Sequence, residues 1–208
     1  MNGPVPVNIA VEDELTESLL TKLLSLIPNR YATRTIYNRG GNGYLRRNIN
    51  GFNLAARGIP FLIGTDLDSY DCPAALIEHW LLRPKHHNLL LRVAVREAEA
   101  WVLADTENFA KFLGIRSTLI PHDVENIRNP KAELIRLASR ARNKKIREDI
   151  CPPARSTRLV GPNYNSRLAV FVQRSWDPHT ARQRARSLAR TIDRLLEFRP
   201  IWIVREEN

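Results

Sequence analysis

Residues 61–72, FLIGTDLDSYDC, join an apolar run directly to a pair of aspartates. The run Phe61-Leu62-Ile63 is typical of a buried strand in an α/β protein. A strand of this kind ends in carboxylates only at a cost, because an unpaired charge near the core is poorly solvated. Asp66 and Asp68 therefore indicate either a bound cation or the point at which the strand reaches water.

Strand and helix patterns alternate on both sides of this stretch. Other strand-like runs are VPVNIAV (5–11), TRTIYN (33–38) and NLLLRVAV (88–95). Helical patterns occupy residues 12–27, 45–58, 73–82 and 96–114, with Gly58 and Gly114 as expected C-caps. This alternation predicts an α/β fold with three layers, in which helices cover a Rossmann-like, mostly parallel sheet.

The second half of the chain has a different pattern. Beyond about residue 118 the strand signal fades, and residues 129–149 and 177–198 both have helical spacing. Between them lies the proline-containing stretch CPPARSTRLVGPNYN, residues 151–165. We therefore expect an α/β core over residues 1–118 and an arginine-rich helical extension over residues 119–208, packed on or beside the core.

Positive charge is concentrated in that second half. Residues 1–105 contain 11 Lys and Arg and 11 Asp and Glu, whereas residues 106–208 contain 21 and 11. Of the 32 basic residues 26 are arginine, whose forked guanidinium suits contacts with phosphate. The distribution favours a nucleic-acid partner, although a solvated basic surface explains the charge equally well.

Other classes of protein and site are disfavoured by the sequence. No apolar run approaches the roughly 20 residues that cross a bilayer, and the N-terminal residues lack the pattern of a signal peptide. The two cysteines, Cys72 and Cys151, have no CxxC partner or Cys/His cluster beside them, which argues against a zinc site. We expect a cytoplasmic protein without a membrane partner.

Acidic side chains follow three of the predicted strands. Glu12 closes the first strand, Asp66 and Asp68 close the third, and Glu97 and Glu99 follow the fourth. Ligands of open α/β sheets bind beyond the carboxyl ends of the strands. Carboxylates that meet there repel one another unless a hard cation such as Mg²⁺ or Mn²⁺ holds them. If the backbone stays extended, Asp66 and Asp68 face the same side.

Each acid also has a purely structural interpretation. Asp13 and Glu14 begin a helix, where negative charge is stabilised by the helix dipole. Asp105 precedes TENFAKFLG and suits an N-cap better than a metal ligand. Glu97 and Glu99 cannot both face one site if they are already helical, because two residues turn a helix by about 200°. We expect Glu97 to be the nearer of the two.

Two basic segments are candidates for contact with nucleic acid. Arg182, Arg186, Arg190 and Arg194 recur every four residues of a predicted helix. Such a stripe is more stable beside phosphates or an acidic partner, although Asp193 and Glu197 could relieve part of the repulsion. In the turn RGGNGY, a phosphate cradle and a simple tight turn are equally compatible with the glycines. The arginines that flank this turn are Arg39, Arg46 and Arg47.

The acids as a set resemble the Toprim fold, the metal-binding domain of topoisomerases, primases and OLD-family nucleases. The resemblance rests on Glu12 in IAVEDELTE and on the DxD of LIGTDLD. The family usually has glycine after the first glutamate, and this chain has Asp13 there.

Longer segments resemble bacterial Toprim-like proteins encoded beside ATPases in genome-defence loci. These segments are RGGNGYLRRNI, DLDSYDCPAALI and RVAVREAEAWVLADTENFAKFLGI, with GPNYNSRL and SWDP later in the chain. The resemblance implies a phage-defence function, an ATPase subunit as partner, and cleavage of DNA more readily than RNA. A homo-oligomer is a further possibility.

The resemblance also implies roles for individual residues. Asp66 and Asp68 coordinate Mg²⁺ or Mn²⁺, Glu12 is a ligand or general base, and Glu97 or Glu99 holds a second ion. Some Toprim enzymes instead use a tyrosine to form a covalent DNA link, and Tyr37, Tyr44, Tyr70 and Tyr164 are available.

Two other functions stay open. A decayed site would leave a non-catalytic nucleic-acid-binding or scaffolding subunit of an ATPase complex. A haloacid-dehalogenase-like phosphatase also uses an apolar strand followed by DxD, but its motif normally closes the first strand.

Overall fold

A computed structural model describes residues 3–27, 29–38 and 41–202 of the chain. Within these residues the sheet has four strands: β1 (Val5–Val11), β2 (Tyr31–Asn38), β3 (Phe61–Asp66) and β4 (Leu89–Ala94). Their order across the sheet is β2-β1-β3-β4, and all neighbouring pairs are parallel. The carboxyl ends of all four strands therefore lie at one edge of the sheet.

Helices connect and surround these strands. They are α1 (Glu14–Ser25), α2 (Asn42–Ala55), α3 (Pro73–Trp80), α4 (Ala98–Ala104), α5 (Thr106–Leu113), α6 (Pro130–Ala138), α7 (Lys144–Ile150), α8 (Tyr164–Arg174), α9 (Pro178–Ala181) and α10 (Arg186–Glu197). Two short 3-10 turns cover Ser117–Leu119 and Val124–Asn126. In the part of the chain that the structure describes, no helix combines the length and apolar character needed to cross a membrane.

The sheet carries a hydrophobic core on each face, which confirms the predicted three-layer α/β fold. On one face Ile9 and Val11 pack in a cluster with Leu19 of α1. On the other face Ala10 and Ile63 pack in a second cluster with α2 and α3. Alternate residues of a strand point to opposite faces, so an apolar run can fill both cores.

Gly64 allows α1 to lie directly against β3. A Cβ atom at this position would come within 2.8 Å of Thr16 Cγ2 and 2.9 Å of Leu20 Cδ1. At its start, α1 is capped by Asp13, whose carboxylate accepts a hydrogen bond from the N–H of Thr16 at 2.8 Å. The structural interpretation of Asp13 is thus confirmed.

The second half of the chain packs on the same face as α1. Leu168 and Phe171 of α8 belong to the hydrophobic cluster that contains Leu19 and Leu23 of α1. At the amino end of α8, Gly161 approaches the backbone of α7 so closely that a Cβ atom would overlap the carbonyl oxygen of Asp149.

Asp149 of α7 and the start of α8 are joined by a buried cluster of polar contacts. Its carboxylate accepts hydrogen bonds from Asn163 Nδ2 at 2.9 Å and from Arg167 Nε at 2.8 Å. Lys145 Nζ lies 3.1 Å away. Burial alone raises the pKa of Asp149, but the bonds from Asn163, Arg167 and Lys145 outweigh it and lower this pKa to about 2.

Several helices end earlier than the sequence predicts. The segment 96–114 breaks at Asp105, whose ψ of 67° is not helical, and forms α4 and α5. Asp105 occupies the N-cap position of α5, but its carboxylate accepts a hydrogen bond from the N–H of Asp177 at 2.7 Å. The C-cap of α5 is Gly114, with the left-handed φ of 69° that glycine favours. The segment 129–149 likewise divides into α6 and α7.

Candidate metal centre

The acids that follow β1, β3 and β4 lie at the carboxyl edge of the sheet. Asp66 is the last residue of β3 and lies beside Ala94, the last residue of β4. Glu12 comes directly after β1, the neighbour of β3 on the other side. The parallel topology thus places Glu12 and Asp66 on adjacent strands, as the strand pattern predicts.

The Glu12 carboxylate points toward the end of β3. Its Oε1 accepts hydrogen bonds from the hydroxyl of Thr65 and from the N–H of Asp66, the latter at 3.3 Å. Burial is the main cause that raises the pKa of Glu12, and the charges of Asp68 and Asp13 add to it. The resulting pKa is about 7, so this carboxyl group is partly protonated at neutral pH.

The Asp66 carboxylate is held against the start of α4. Its Oδ1 accepts a hydrogen bond from the N–H of Ala98 at 2.8 Å. Burial, followed by the charges of Glu99 and Glu12, raises the pKa of Asp66 well above its ordinary value. A raised pKa favours the protonated form of this carboxyl, and buried acids with raised pKa values are typical of functional sites.

Asp68 lies beyond the end of β3. Its φ of 50° is left-handed, so the backbone does not stay extended from Asp66 to Asp68. Aspartate adopts this conformation more readily than most residues. Asp68 is exposed, and its charge acts with burial to raise the pKa of Glu12. The extended backbone that would make Asp66 and Asp68 face the same side is therefore not present.

Glu97 and Glu99 both meet Lys131 of α6. The N–H of Lys131 donates to Glu97 Oε2 at 2.8 Å, and its ammonium lies 3.5 Å from Glu99 Oε1. Glu97 precedes α4 and has an extended backbone. The rotation of about 200° expected between two helical residues therefore does not apply to Glu97 and Glu99. Of the two, Glu99 has the larger effect on the pKa of Asp66.

Glu99 is almost completely buried, with a side chain that is 2% exposed. Besides Lys131 it meets Tyr164, whose hydroxyl donates to Glu99 Oε1 at 2.8 Å. Burial raises the pKa of Glu99, and the Lys131 charge and the Tyr164 hydrogen bond oppose this rise. A lysine from the second half of the chain thus serves as a counter-ion within the acidic edge.

The donor set fits a hard divalent cation in its chemistry. Carboxylate oxygens are the ligands that Mg²⁺ and Mn²⁺ prefer, and burial beside other acids raises the pKa values of Glu12 and Asp66. Among the described residues, however, no three His, Cys, Asp or Glu side chains lie close enough together to hold a metal ion.

The glycine turn lies beside Glu12. The N–H of Gly41 donates to the backbone carbonyl of Glu12 at 3.0 Å, and Gly41 has a φ of 75°. Arg39, a predicted phosphate ligand, and Gly40 lie outside the described residues. Arg46 extends toward α3, where its Nη2 lies 2.8 Å from His79 Nε2. Arg47 is exposed in the second turn of α2.

The predicted arginine stripe is interrupted. The segment 177–198 forms the short helix α9 and then α10, so Arg182 and Arg186 do not share a helix with the expected spacing. Arg182 instead forms an ion pair with Asp193, with Nη2 and Oδ1 2.6 Å apart. Arg186 and Arg190 are exposed on α10. Predicting one continuous helix was therefore wrong, because the chain turns at residues 182–185.

The structural roles of three residues were missed in the sequence. Lys131 follows a proline at a helix start, and nothing in its neighbourhood marks it as a partner for an acid 32 residues earlier. Tyr164 was named only as one of four tyrosines available for a covalent DNA link, not as a partner of Glu99. Arg92 had a visible signal, since it is a single cation within the apolar strand NLLLRVAV.

A cavity of about 640 Å³ lies away from these acids, between α2 and the loop that follows α3. Asn50, Asn53 and Arg57 line it together with Leu54 and Leu82. This lining offers amide, cationic and apolar groups, so the cavity does not supply the oxyanions of a metal site.

Known proteins provide no further identification. The chain matches no protein-family model, no curated protein and no solved structure. Its resemblance to Toprim proteins stays a prediction that rests on the quoted motifs.

Proposed function

We propose that this protein is a divalent-metal-dependent nuclease that hydrolyses phosphodiester bonds of DNA or RNA. The observation that carries the proposal is the position of Glu12 and Asp66 at the ends of adjacent parallel strands, where Glu12 Oε1 accepts a hydrogen bond from the N–H of Asp66. Carboxylates at the ends of adjacent parallel strands support a cation site. The excess of positive charge in residues 106–208 supports a polyanionic substrate.

In this proposal Asp66 and Asp68 hold Mg²⁺ or Mn²⁺, Glu12 is a third ligand or the general base, and Glu97 or Glu99 holds a second ion. The bound ion would polarise the phosphoryl oxygen and lower the pKa of a bound water. Glu12 suits the role of a base in one respect, because a pKa of about 7 leaves it able to accept a proton near neutral pH. The Thr65 hydroxyl and the Asp66 N–H orient its carboxylate.

The resemblance to Toprim-like defence proteins extends the proposal to partners. We infer that an ATPase subunit acts with this chain in a bacterial phage-defence system, and that DNA is the preferred substrate. A cytoplasmic location fits this role, and the cysteines Cys72 and Cys151 are both free rather than joined in a disulfide.

A second candidate is a non-catalytic nucleic-acid-binding subunit. The absence of a ready three-ligand group among the described side chains favours this alternative. Asp13, which stands where the Toprim pattern usually has glycine, is occupied as the cap of α1.

The test is cleavage of plasmid DNA and of an RNA oligonucleotide by the purified protein, in Mg²⁺, in Mn²⁺ and in EDTA. We expect cleavage only with a divalent ion, and its loss in Asp66→Ala. Asp71→Ala removes an exposed aspartate five residues further on and should cut like the wild type. Isothermal titration with Mn²⁺ should show binding to the wild type and to Asp71→Ala, but not to Asp66→Ala.

Unchanged cleavage by Asp66→Ala would eliminate the nuclease assignment. No cleavage by the wild type, together with DNA binding that Asp66→Ala preserves, would favour the non-catalytic subunit. Trapping of an aspartyl phosphate with beryllium fluoride would point instead to the phosphatase.

A further inference from the structure

A groove runs along β4, which is an edge strand of the sheet in the described part of the chain. The groove has a volume of about 360 Å³, and Leu91, Arg92, Val93 and Val95 form its floor. Ile77 of α3 lines one wall, and Arg190 of α10 lines the other. It is thus open along the side of the sheet rather than beyond the ends of the strands.

Arg92, Arg186 and Arg190 line this groove, and Arg194 and Lys85 lie near enough to Arg92 to interact with its charge. Arg92 extends from β4 and donates from Nε to Thr191 Oγ1 of α10 at 3.3 Å. Burial, with added repulsion from Arg194 and Arg190, lowers the pKa of Arg92. Partial desolvation, followed by Arg194 and Arg92, lowers the pKa of Lys85. Like charges therefore repel one another around Arg92 and Lys85.

Acidic side chains do not neutralise this cluster. The ion pairs between described residues include none of Lys85, Arg92, Arg190 and Arg194. Glu125 lines the groove, but its carboxylate already accepts hydrogen bonds from the N–H groups of Arg186 and Ser187, at 2.9 and 2.8 Å. Its charge thus caps the amino end of α10. An external anion would relieve the remaining repulsion.

The arrangement fits an extended polyanion. Lys85 precedes β4, Arg92 lies within it, and Arg190 and Arg194 are one helical turn apart on α10, so the cations form a row beside the strand. A second copy of this chain, docked edge to edge, would bring the same cations against each other. Guanidinium groups bind phosphate oxygens in a forked geometry that suits the sugar-phosphate backbone.

The groove also leads toward the acids. Val95 is part of its floor and lies two residues before Glu97. The adjacent Ala94 is paired with Asp66 across the sheet. A nucleic-acid strand lying along β4 would therefore reach the carboxyl edge where Asp66 ends β3.

We propose that the groove beside β4 binds the phosphodiester backbone of a nucleic acid through Lys85, Arg92, Arg190 and Arg194. Its role in delivering that backbone to the acidic edge rests on the proposed nuclease function, but the binding itself does not. This site keeps Arg190 and Arg194 of the predicted stripe, whereas Arg182 forms an ion pair with Asp193.

The test measures binding in EDTA, so that cleavage plays no part. The variant Arg92→Gln/Arg190→Gln is compared with Arg155→Gln/Arg158→Gln, which removes the same charge from the exposed loop before α8. The probes are a fluorescent 20-base-pair DNA duplex and a 20-nucleotide RNA, titrated by anisotropy from low to moderate salt. Comparison of the two probes identifies the preferred nucleic acid.

We expect the groove variant to bind about tenfold more weakly, and the loop variant to stay within about twofold of the wild type. The slope of log K against log salt should become less negative by about 1.8 for the duplex, since each phosphate contact contributes about 0.9. If Arg92→Gln does not fold, Lys85→Gln/Arg190→Gln tests the same groove through two exposed residues.

Wild-type affinity in the groove variants, equal losses in the loop variant, or no binding by the wild type would each overturn the proposal. Binding that depends on the groove, without cleavage in Mn²⁺, would support the groove and reject the nuclease. Cleavage that the groove variant retains at low substrate concentration would support the nuclease and reject the groove as a binding site.

Discussion

Replacing Asp149 with Asn should destabilise the protein at neutral pH and change how its stability responds to acid. The side chain is 2% exposed and receives hydrogen bonds from Asn163 and Arg167. These bonds outweigh the effect of burial and lower the pKa of Asp149 from 3.8 to about 2. At about 1.36 kcal/mol for each pKa unit, the ionised carboxylate contributes about 2 kcal/mol to the free energy of unfolding at pH 7.

The sign of the pH effect follows from the direction of this shift. A carboxyl group with a lowered folded-state pKa stabilises the protein above the unfolded value of 3.8, and the stabilisation is lost as the pH falls toward about 2. Urea denaturation followed by circular dichroism at pH 7, 5 and 3 should therefore show a difference between wild type and Asp149→Asn that shrinks in acid.

The matched control is Glu148→Gln in the same helix. Glu148 is 55% exposed and forms only a surface pair with Lys144, at 3.6 Å, so its loss should cost about 0.5 kcal/mol or less. Equal effects of the two substitutions, or a cost of Asp149→Asn that stays constant down to pH 2, would refute the reasoning.

Three other predictions concern packing, charge and metal. Gly161→Ala should lower the free energy of unfolding by more than about 2 kcal/mol, because the new Cβ would overlap a backbone carbonyl. Gly51→Ala should raise the free energy of unfolding by about 0.5–1 kcal/mol, because Gly51 lies on a helix with open space around it. Urea titrations measure both effects. Lys131→Gln should destabilise the protein by about 3 kcal/mol, since it leaves buried Glu99 without its cation, and a loss below about 0.5 kcal/mol in the same assay would contradict this ion pair. Mn²⁺ should raise the melting temperature of the wild type by several degrees, as differential scanning fluorimetry would show, and an equal rise in Asp66→Ala would argue against Asp66 as a ligand.

The sheet was predictable because each of its strands has a local signal in the sequence. The run Phe61-Leu62-Ile63 is short, apolar and followed by acids, and β3 ends at Asp66 as expected. Strand β1 begins and ends at the predicted residues, Val5 and Val11. Alternation with helices then requires parallel strands, so the positions of Glu12 and Asp66 at one edge also follow from the sequence.

The helices of the second half were harder to delimit because helical spacing continues across their breaks. Between α9 and α10 the chain turns at residues 182–185, although no glycine or proline marks that turn. The amino end of α10 is capped by Glu125, about 60 residues earlier in the chain. A cap supplied by a distant residue leaves no local signal, so the arginine spacing suggested a longer helix than the one that forms.

The candidate site was predictable only in its acids. Glu12 follows a strand and Asp66 ends one, so their positions can be read from the sequence alone. Lys131 and Tyr164 reach Glu99 through tertiary packing of α6 and α8, which the sequence does not specify. The cations beside β4 come from a strand, a loop and a distant helix. Arg190 and Arg194 stand out in the sequence by their spacing and Arg92 by its place in an apolar strand, but no local signal shows that they lie together.

The close approach at Gly64 links the hydrophobic interior to the chemistry at the rim of the sheet. Thr16 and Leu20 rest where a side chain on residue 64 would otherwise stand, and Asp66 follows two positions later. The distance between α1 and β3 is therefore set by the absence of a Cβ atom at residue 64. Substitutions that change the side-chain volume at Leu20 or Gly64 would therefore shift the acidic edge of the sheet without replacing any carboxylate.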